Sequence, residues 1–209
     1  MARSGSSKQW LKRHVSDPYV QKAKAQGLRS RAAFKLEEVD QRDRLLRAGA
    51  KVVDLGAAPG SWSEYAAKRV GSTGRVVAID LLEVAPAPGV AIVRGDFLDP
   101  QAVAAVREAM GGDPADVVLC DLAPNISGIA SADQARAVEL VHAAIDFCVE
   151  NLRPEGAFLV KVFQGEAFTE LLQRMKRTFE DVQTRKPAAS RGESRETYLL
   201  GRRLRPSAD

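Results

Sequence analysis

Apolar residues recur along the chain in two alternating rhythms. Lys51–Leu55, Arg75–Asp80, Ala91–Arg94, Asp116–Asp121 and Ala157–Val162 are short runs dominated by Val, Ile, Leu and Ala. Such runs predict strands buried on both faces of a sheet. Between them, Trp62–Val70, Pro100–Met110 and Ala132–Val149 repeat apolar residues at helical spacing, the last with Val138, Val141, Ile145 and Cys148 on one face. Alternating strands and helices predict an α/β, Rossmann-like, doubly wound domain: a mostly parallel, seven-stranded sheet with helices on both faces. A helix is expected after Ser30 as N-cap, with Ala32, Leu36 and Val39 as its stripe, and another over Phe168–Phe179. The last apolar run, Thr197–Leu200, should add an edge strand, and the basic stretch Arg185–Arg191 reads as a loop too polar for the core. Residues 1–18, rich in Ser, Lys and Arg, read as a flexible arm, which leaves 19–209 as a single domain.

Composition narrows the chemistry. With His14 and His142 as the only histidines, a histidine-based metal site or triad is excluded and no metal is expected. Cys120 and Cys148 lie in apolar segments without metal-ligand spacing and read as buried free thiols. No apolar run approaches the roughly 18 residues of a membrane span, and no secretory signal is seen, so a cytoplasmic protein without membrane contact is expected. Charge is divided along the chain. Met1–Lys35 carries 9 Lys/Arg against 1 acidic residue, Leu36–Gln173 carries 12 against 21, and Arg174–Asp209 carries 10 against 5. Basic ends around an acidic middle suit a domain that holds a small ligand centrally and a polyanion at its flanks, with Lys8, Lys12, Arg13, Lys22, Lys24, Arg29, Arg31, Arg185, Lys186 and Arg191 on phosphates.

In an open parallel sheet, ligands bind beyond the carboxyl ends of the strands. Those ends are acidic here: Asp54, Asp80, Asp96 and Asp121. The first strand breaks into Gly56-Ala57-Ala58-Pro59-Gly60, a small-residue turn that lets a ligand approach the main chain. Asp80, 20 residues after Gly60, has the spacing of a carboxylate that accepts from ribose hydroxyls. A dinucleotide fingerprint from Gly56 would require glycine at positions now held by Ala58 and Ser61. The turn instead resembles motif I of class I methyltransferases, which use S-adenosylmethionine. On that resemblance Gly56 and Gly60 lie against the methionine portion, Trp62 packs beside it, Asp80 takes the ribose and Asp96 the adenine amino group. Asp54 and Asp121 also belong to the cofactor's surroundings, although Asp54 can equally cap the turn and Trp62 can be ordinary helix packing.

Lys161 interrupts an apolar strand, where a charged side chain loses hydration unless it serves a purpose. Four segments then complete a larger pattern. Leu28-Arg29-Ser30-Arg31-Ala32-Ala33-Phe34-Lys35 precedes the motif-I turn, and Asp121-Leu122-Ala123-Pro124-Asn125, Val160-Lys161-Val162-Phe163-Gln164-Gly165 and Ser194-Arg195-Glu196-Thr197-Tyr198 come after it, in a set order and spacing. In these segments the chain closely resembles the bacterial FtsJ/RrmJ (RlmE) family of ribosomal RNA 2′-O-ribose methyltransferases. One departure is Ser61, where bacterial members usually carry glycine. The resemblance implies a catalytic tetrad of Lys35, Asp121, Lys161 and Glu196, methyl transfer from S-adenosylmethionine to a ribose 2′-oxygen with Lys161 as base, and an A-loop uridine of 23S RNA in the large ribosomal subunit as substrate. In this reading Lys35 supplies a cation beside Lys161, and the enzyme works as a monomer. Alternatives are 2′-O-methylation of a tRNA anticodon loop and a non-catalytic, RNA-binding ribosome-assembly factor.

Overall fold

The computed structural model describes residues 17–122, 128, 130–190 and 194–206. Most of the predicted arm therefore lies outside the described residues. The described chain starts as an ordered helix, α1 (Pro18–Ala25), in which Asp17 accepts the Tyr19 amide as N-cap and proline fills the first turn. Within the described residues, Asp17 and Pro18, assigned to the arm, belong to this helix and its cap. Helix α2 (Ala32–Asp43) follows, and Ser30 Oγ accepts the Ala32 amide at 3.1 Å, as its predicted capping role requires.

The alternating part runs β1 (Lys51–Leu55), α3 (Ser61–Val70), β2 (Arg75–Asp80), β3 (Val90–Arg94), α4 (Pro100–Ala109), β4 (Ala115–Cys120), α5 (Ala130–Asn151) and β5 (Leu152–Phe163). It closes with α6 (Phe168–Thr178), β6 (Phe179–Arg185) and β7 (Glu196–Leu204). These strands form a seven-stranded sheet of order β3-β2-β1-β4-β5-β7-β6. All pairings are parallel except those of β7, which is antiparallel to both β5 and β6. Strand β7 is thus internal, and β6 takes the edge that Thr197–Leu200 was expected to close. The order reverses direction between β1 and β4, so the crevice for a ligand opens at their carboxyl ends.

Each face of the sheet has its own core. Alternate residues of β5, Phe158, Val160 and Val162, pack with α4, α5 and α6, while Ala157 and Leu159 pack with α2 and α3. Lys161 continues this second series, so its side chain belongs to the α2/α3 face where the apolar layer ends. Cys120 and Cys148 are buried and free. The segment after β6 is less polar in fact than in pattern: Ala189 is fully buried against Ala23 and Phe34.

Candidate active site

Sheet register assembles the predicted tetrad. Cys120 pairs with Val160 in the parallel β4–β5 ladder, so the next residues, Asp121 and Lys161, leave neighbouring strands side by side. Lys161 Nζ lies 3.1 Å from Asp121 Oδ1 and donates to the Asp121 main-chain carbonyl at 2.8 Å. On the other side of β5, Lys161 pairs with Tyr198 and Phe163 with Glu196. Directly opposed residues project to the same face, so these four share one surface. Helix α2 covers it and brings Lys35 Nζ to 2.7 Å from Glu196 Oε1. The tetrad is therefore two ion pairs, Lys161–Asp121 and Lys35–Glu196. Lys35, the cation expected beside Lys161, has Glu196 as its ion-pair partner, and the charge of Lys161 also acts on that carboxylate.

Tyr198 connects the two pairs and was overlooked in the sequence as a strand residue. Its hydroxyl is 3.1 Å from Asp121 Oδ1 and 3.1 Å from Glu196 Oε1. Burial, reinforced by both carboxylates, pushes its ionisation far above the usual phenol range, so it remains a donor. A buried phenol needs a polar partner, and a tyrosine inside an apolar run was the available signal. Burial would raise the Glu196 carboxyl, but the Lys35 charge and hydrogen bond, with help from Lys161 and Ser190, hold it below its ordinary value. Ser190 Oγ donates to Glu196 Oε1 at 3.0 Å.

Beside the tetrad lies a cavity of about 480 Å³ that Asp121 shares. Gly56, Asp80 and Asp96 also line it, together with the exposed apolar side chains Leu81, Leu82 and Leu98. Asp80 Oδ2 accepts the Ala58 amide at 2.9 Å and Oδ1 accepts the Leu82 amide at 2.8 Å, which fixes the turn against β2. Gly56 takes the left-handed φ of 71°, and a Cβ there would stand 2.1 Å from Leu122 Cδ2, so any larger residue would be strained and would displace the Leu122 side chain. The other three cofactor candidates stand back from the cavity wall. Gly60 opens α3 at φ 100° under the Arg29 guanidinium. Trp62 is buried, donates its indole N–H to the Ala32 carbonyl at 2.8 Å, and packs on Tyr198 with ring centroids 5.7 Å apart. It supports the tetrad from below instead of lining the cavity. Asp54 is 1% exposed, accepts from Ser63 Oγ at 2.5 Å and has no hydrogen-bond partner for Oδ1. Burial pushes its carboxyl up to about 7.

Comparison with known proteins agrees with this geometry. The family described as FtsJ-like methyltransferase matches residues 28–204, a span that includes all four tetrad residues. The chain belongs to the FtsJ-like methyltransferase family. It is 53% identical to the ribosomal RNA large subunit methyltransferase E of Azoarcus sp. strain BH72, over 98% of this chain and 100% of the relative. The protein of the same name from Pseudomonas aeruginosa is 48% identical, over 98% and 99%. Among solved structures, a Plasmodium falciparum protein assigned as a ribosomal RNA methyltransferase superposes with a TM-score of 0.74 at 27% identity, over 84% of this chain and 98% of that one.

In this FtsJ-like methyltransferase several basic residues read as phosphate contacts have internal partners. Arg29 binds the Pro59, Ala85 and Pro86 carbonyls and pairs with Glu64 at 3.0 Å, clasping the motif-I turn to the loop after β2. Arg31 pairs with Asp17 and the Ala189 carbonyl. Arg185 is 8% exposed and grips both oxygens of Asp43, at 2.7 and 2.6 Å. Lys186 donates to the Ser194 and Glu196 carbonyls. Lys22 and Lys24 remain exposed, while Lys8, Lys12, Arg13 and Arg191 lie outside the described residues.

Proposed function

We propose that this chain transfers a methyl group from S-adenosylmethionine to a ribose 2′-hydroxyl of large-subunit ribosomal RNA, with the A-loop uridine as its target. The observation that carries the reading is the pair of acceptors around Lys161. To act as the base, Lys161 must first give up the proton of its ion pair, and the neutral amine then has two N–H groups and one lone pair. Directed at Asp121 Oδ1 and the Asp121 carbonyl, the two N–H groups leave the lone pair for the acceptor hydroxyl. Lys161 then takes the 2′-hydroxyl proton as the oxygen attacks, and Asp121 steadies the resulting ammonium. Lys35 and Glu196 hold each other and present fixed polar groups to the ribose, so alignment supplies part of the rate.

The cavity suits the cofactor chemically. Its ionisable lining is Asp80, Asp96, Asp121 and Glu139 against Arg136, a balance that favours a cationic ligand over a pyrophosphate. When bound, S-adenosylmethionine supplies an electrophilic methyl group on its sulfonium. In this reading Asp80 and Asp96 hold the nucleoside, Gly56 admits the methionine portion and Asp121 faces both cofactor and acceptor. The names of the relatives support large-subunit RNA as the substrate, and on this reading the enzyme works where ribosomes assemble, in the cytoplasm.

The test is radiolabelled methyl transfer to large subunits, free ribosomal RNA and tRNA, followed by mapping of the modified ribose. Transfer to one large-subunit ribose, abolished in Lys161→Ala while cofactor affinity stays near wild type, is expected. Label confined to tRNA would overturn the substrate, and undiminished turnover in Lys161→Ala would remove Lys161 as the base.

A further inference from the structure

Outside the tetrad, the carboxyl end of β5 carries an aromatic side chain with no place in the core. Phe163 is 41% exposed, and residues 164–166 after it are exposed as well. Strand alternation puts Phe163 on the same face as Lys161, two positions further out, roughly 7 Å along the strand. Its cross-strand partner is Glu196, so the ring stands directly beside the tetrad. The small hollow that Lys161 and Phe163 border belongs mainly to the other face of the sheet, with Cys120, Val141, Val162 and Leu171 in its wall, and at about 30 Å³ it is too small for a base, so the exposed ring itself is the feature beside the tetrad. Arg195 is exposed next to Glu196, and its carbonyl accepts the Gln164 amide at 2.8 Å, which ties the two strand ends together.

We infer that Phe163 is the stacking platform for the base of the acceptor nucleotide, a specificity-determining role that rests on the proposed ribose methylation. The position of the reacting atom fixes the rest of the nucleoside. With the 2′-oxygen at Lys161 Nζ, the attached base must lie one nucleoside's reach away, and the exposed Phe163 ring, two strand positions out and opposite Glu196, lies in that range. Single-stranded RNA is recognised largely by unstacked bases laid on aromatic side chains. The exposed Phe163 ring suits a base face, and the Arg195 charge on the neighbouring strand end suits the adjoining phosphate. A protein partner is the weaker occupant of the ring, because the tetrad beside it would bury four charges against that partner.

The experiment compares the full-length wild type, Phe163→Ala and Phe163→Tyr in methyl transfer to large subunits, with cofactor affinity measured alongside. Phe163→Ala should lose roughly 10- to 100-fold in kcat/KM with unchanged cofactor affinity, and Phe163→Tyr should stay near wild type. The same rates are then measured on subunits reconstituted with RNA that lacks the base at the target ribose. There the wild type should fall to the level of Phe163→Ala, and that variant should lose nothing more. A Phe163→Ala rate equal to wild type, or an undiminished deficit on the abasic RNA, overturns the stacking role. A wild type that methylates no ribose in the large subunit overturns the proposed function itself, and the stacking role falls with it.

Discussion

One hydroxyl proton of Tyr198 serves two carboxylates, with its oxygen 3.1 Å from Asp121 Oδ1 and 3.1 Å from Glu196 Oε1. The tyrosine can donate to one acid at a time, so it couples two ion pairs that lie on different strands. Tyr198→Phe keeps the ring stacked on Trp62 and removes only this link. Turnover should fall about 10-fold, the scale of one charge-assisted hydrogen bond, with cofactor affinity unchanged. Single-turnover methyl transfer beside calorimetric cofactor titration measures both.

Arg29 → Ala should act in the opposite way. The guanidinium holds three main-chain carbonyls on two segments, and its loss frees the motif-I turn from the loop after β2. Cofactor dissociation should rise about 10-fold while kcat at saturating cofactor changes little. Arg29→Lys should recover only part, since one ammonium cannot reproduce the planar fork.

The Arg185–Asp43 pair lies in the interior and joins β6 to the end of α2. Arg185→Leu leaves the Asp43 carboxylate buried beside an apolar group and should cost about 3–5 kcal/mol. Adding Asp43→Asn should return part of that loss. Urea unfolding of the two variants and the wild type gives the comparison.

Asp54 gives stability a particular pH dependence. Below about pH 4 its carboxyl is protonated in folded and unfolded chains alike. As pH rises towards 7 the unfolded chain ionises it, whereas burial keeps the folded carboxyl protonated up to about 7. The unfolded state then binds fewer protons, so this group's contribution falls across that window by on the order of 4 kcal/mol and levels above it. Asp54→Asn removes the titration. Unfolding midpoints at about pH 5 and about pH 8 should therefore differ less in the variant than in the wild type. An unchanged difference would assign the slope to other groups.

Much of this arrangement was legible in the chain because it is local. Strand β1 and the turn after it, the acids at strand ends and Lys161 within an apolar run each announce themselves within a few residues. What escaped depends on distant partners. Strand β6 contains only Phe179 and Val182 as apolar residues, and its place follows from hydrogen bonds to β7 rather than from its own pattern. Arg185 looks like a solvated charge until Asp43, 142 positions away, is brought against it. Trp62 sits one residue inside α3 next to a ligand-binding turn, yet helix geometry turns it inward to Ala32 and Tyr198. Lys35 was named as a member of the tetrad, but its pairing with Glu196 depends on where α2 crosses β7 and has no mark in the sequence around it.

The insertion of β7 between β5 and β6 also sets when activity can begin during synthesis. Lys35 emerges from the ribosome early, and Asp121 and Lys161 follow with the parallel strands. Glu196 and Tyr198 arrive only with the last strand, which must enter between two strands already made. Until then Lys35 lacks its carboxylate and the flank of β5 next to Lys161 stays open. On the proposed mechanism, a nascent chain would therefore have to wait for β7 to dock before it could transfer a methyl group, even though every residue that lines the cavity has already been made.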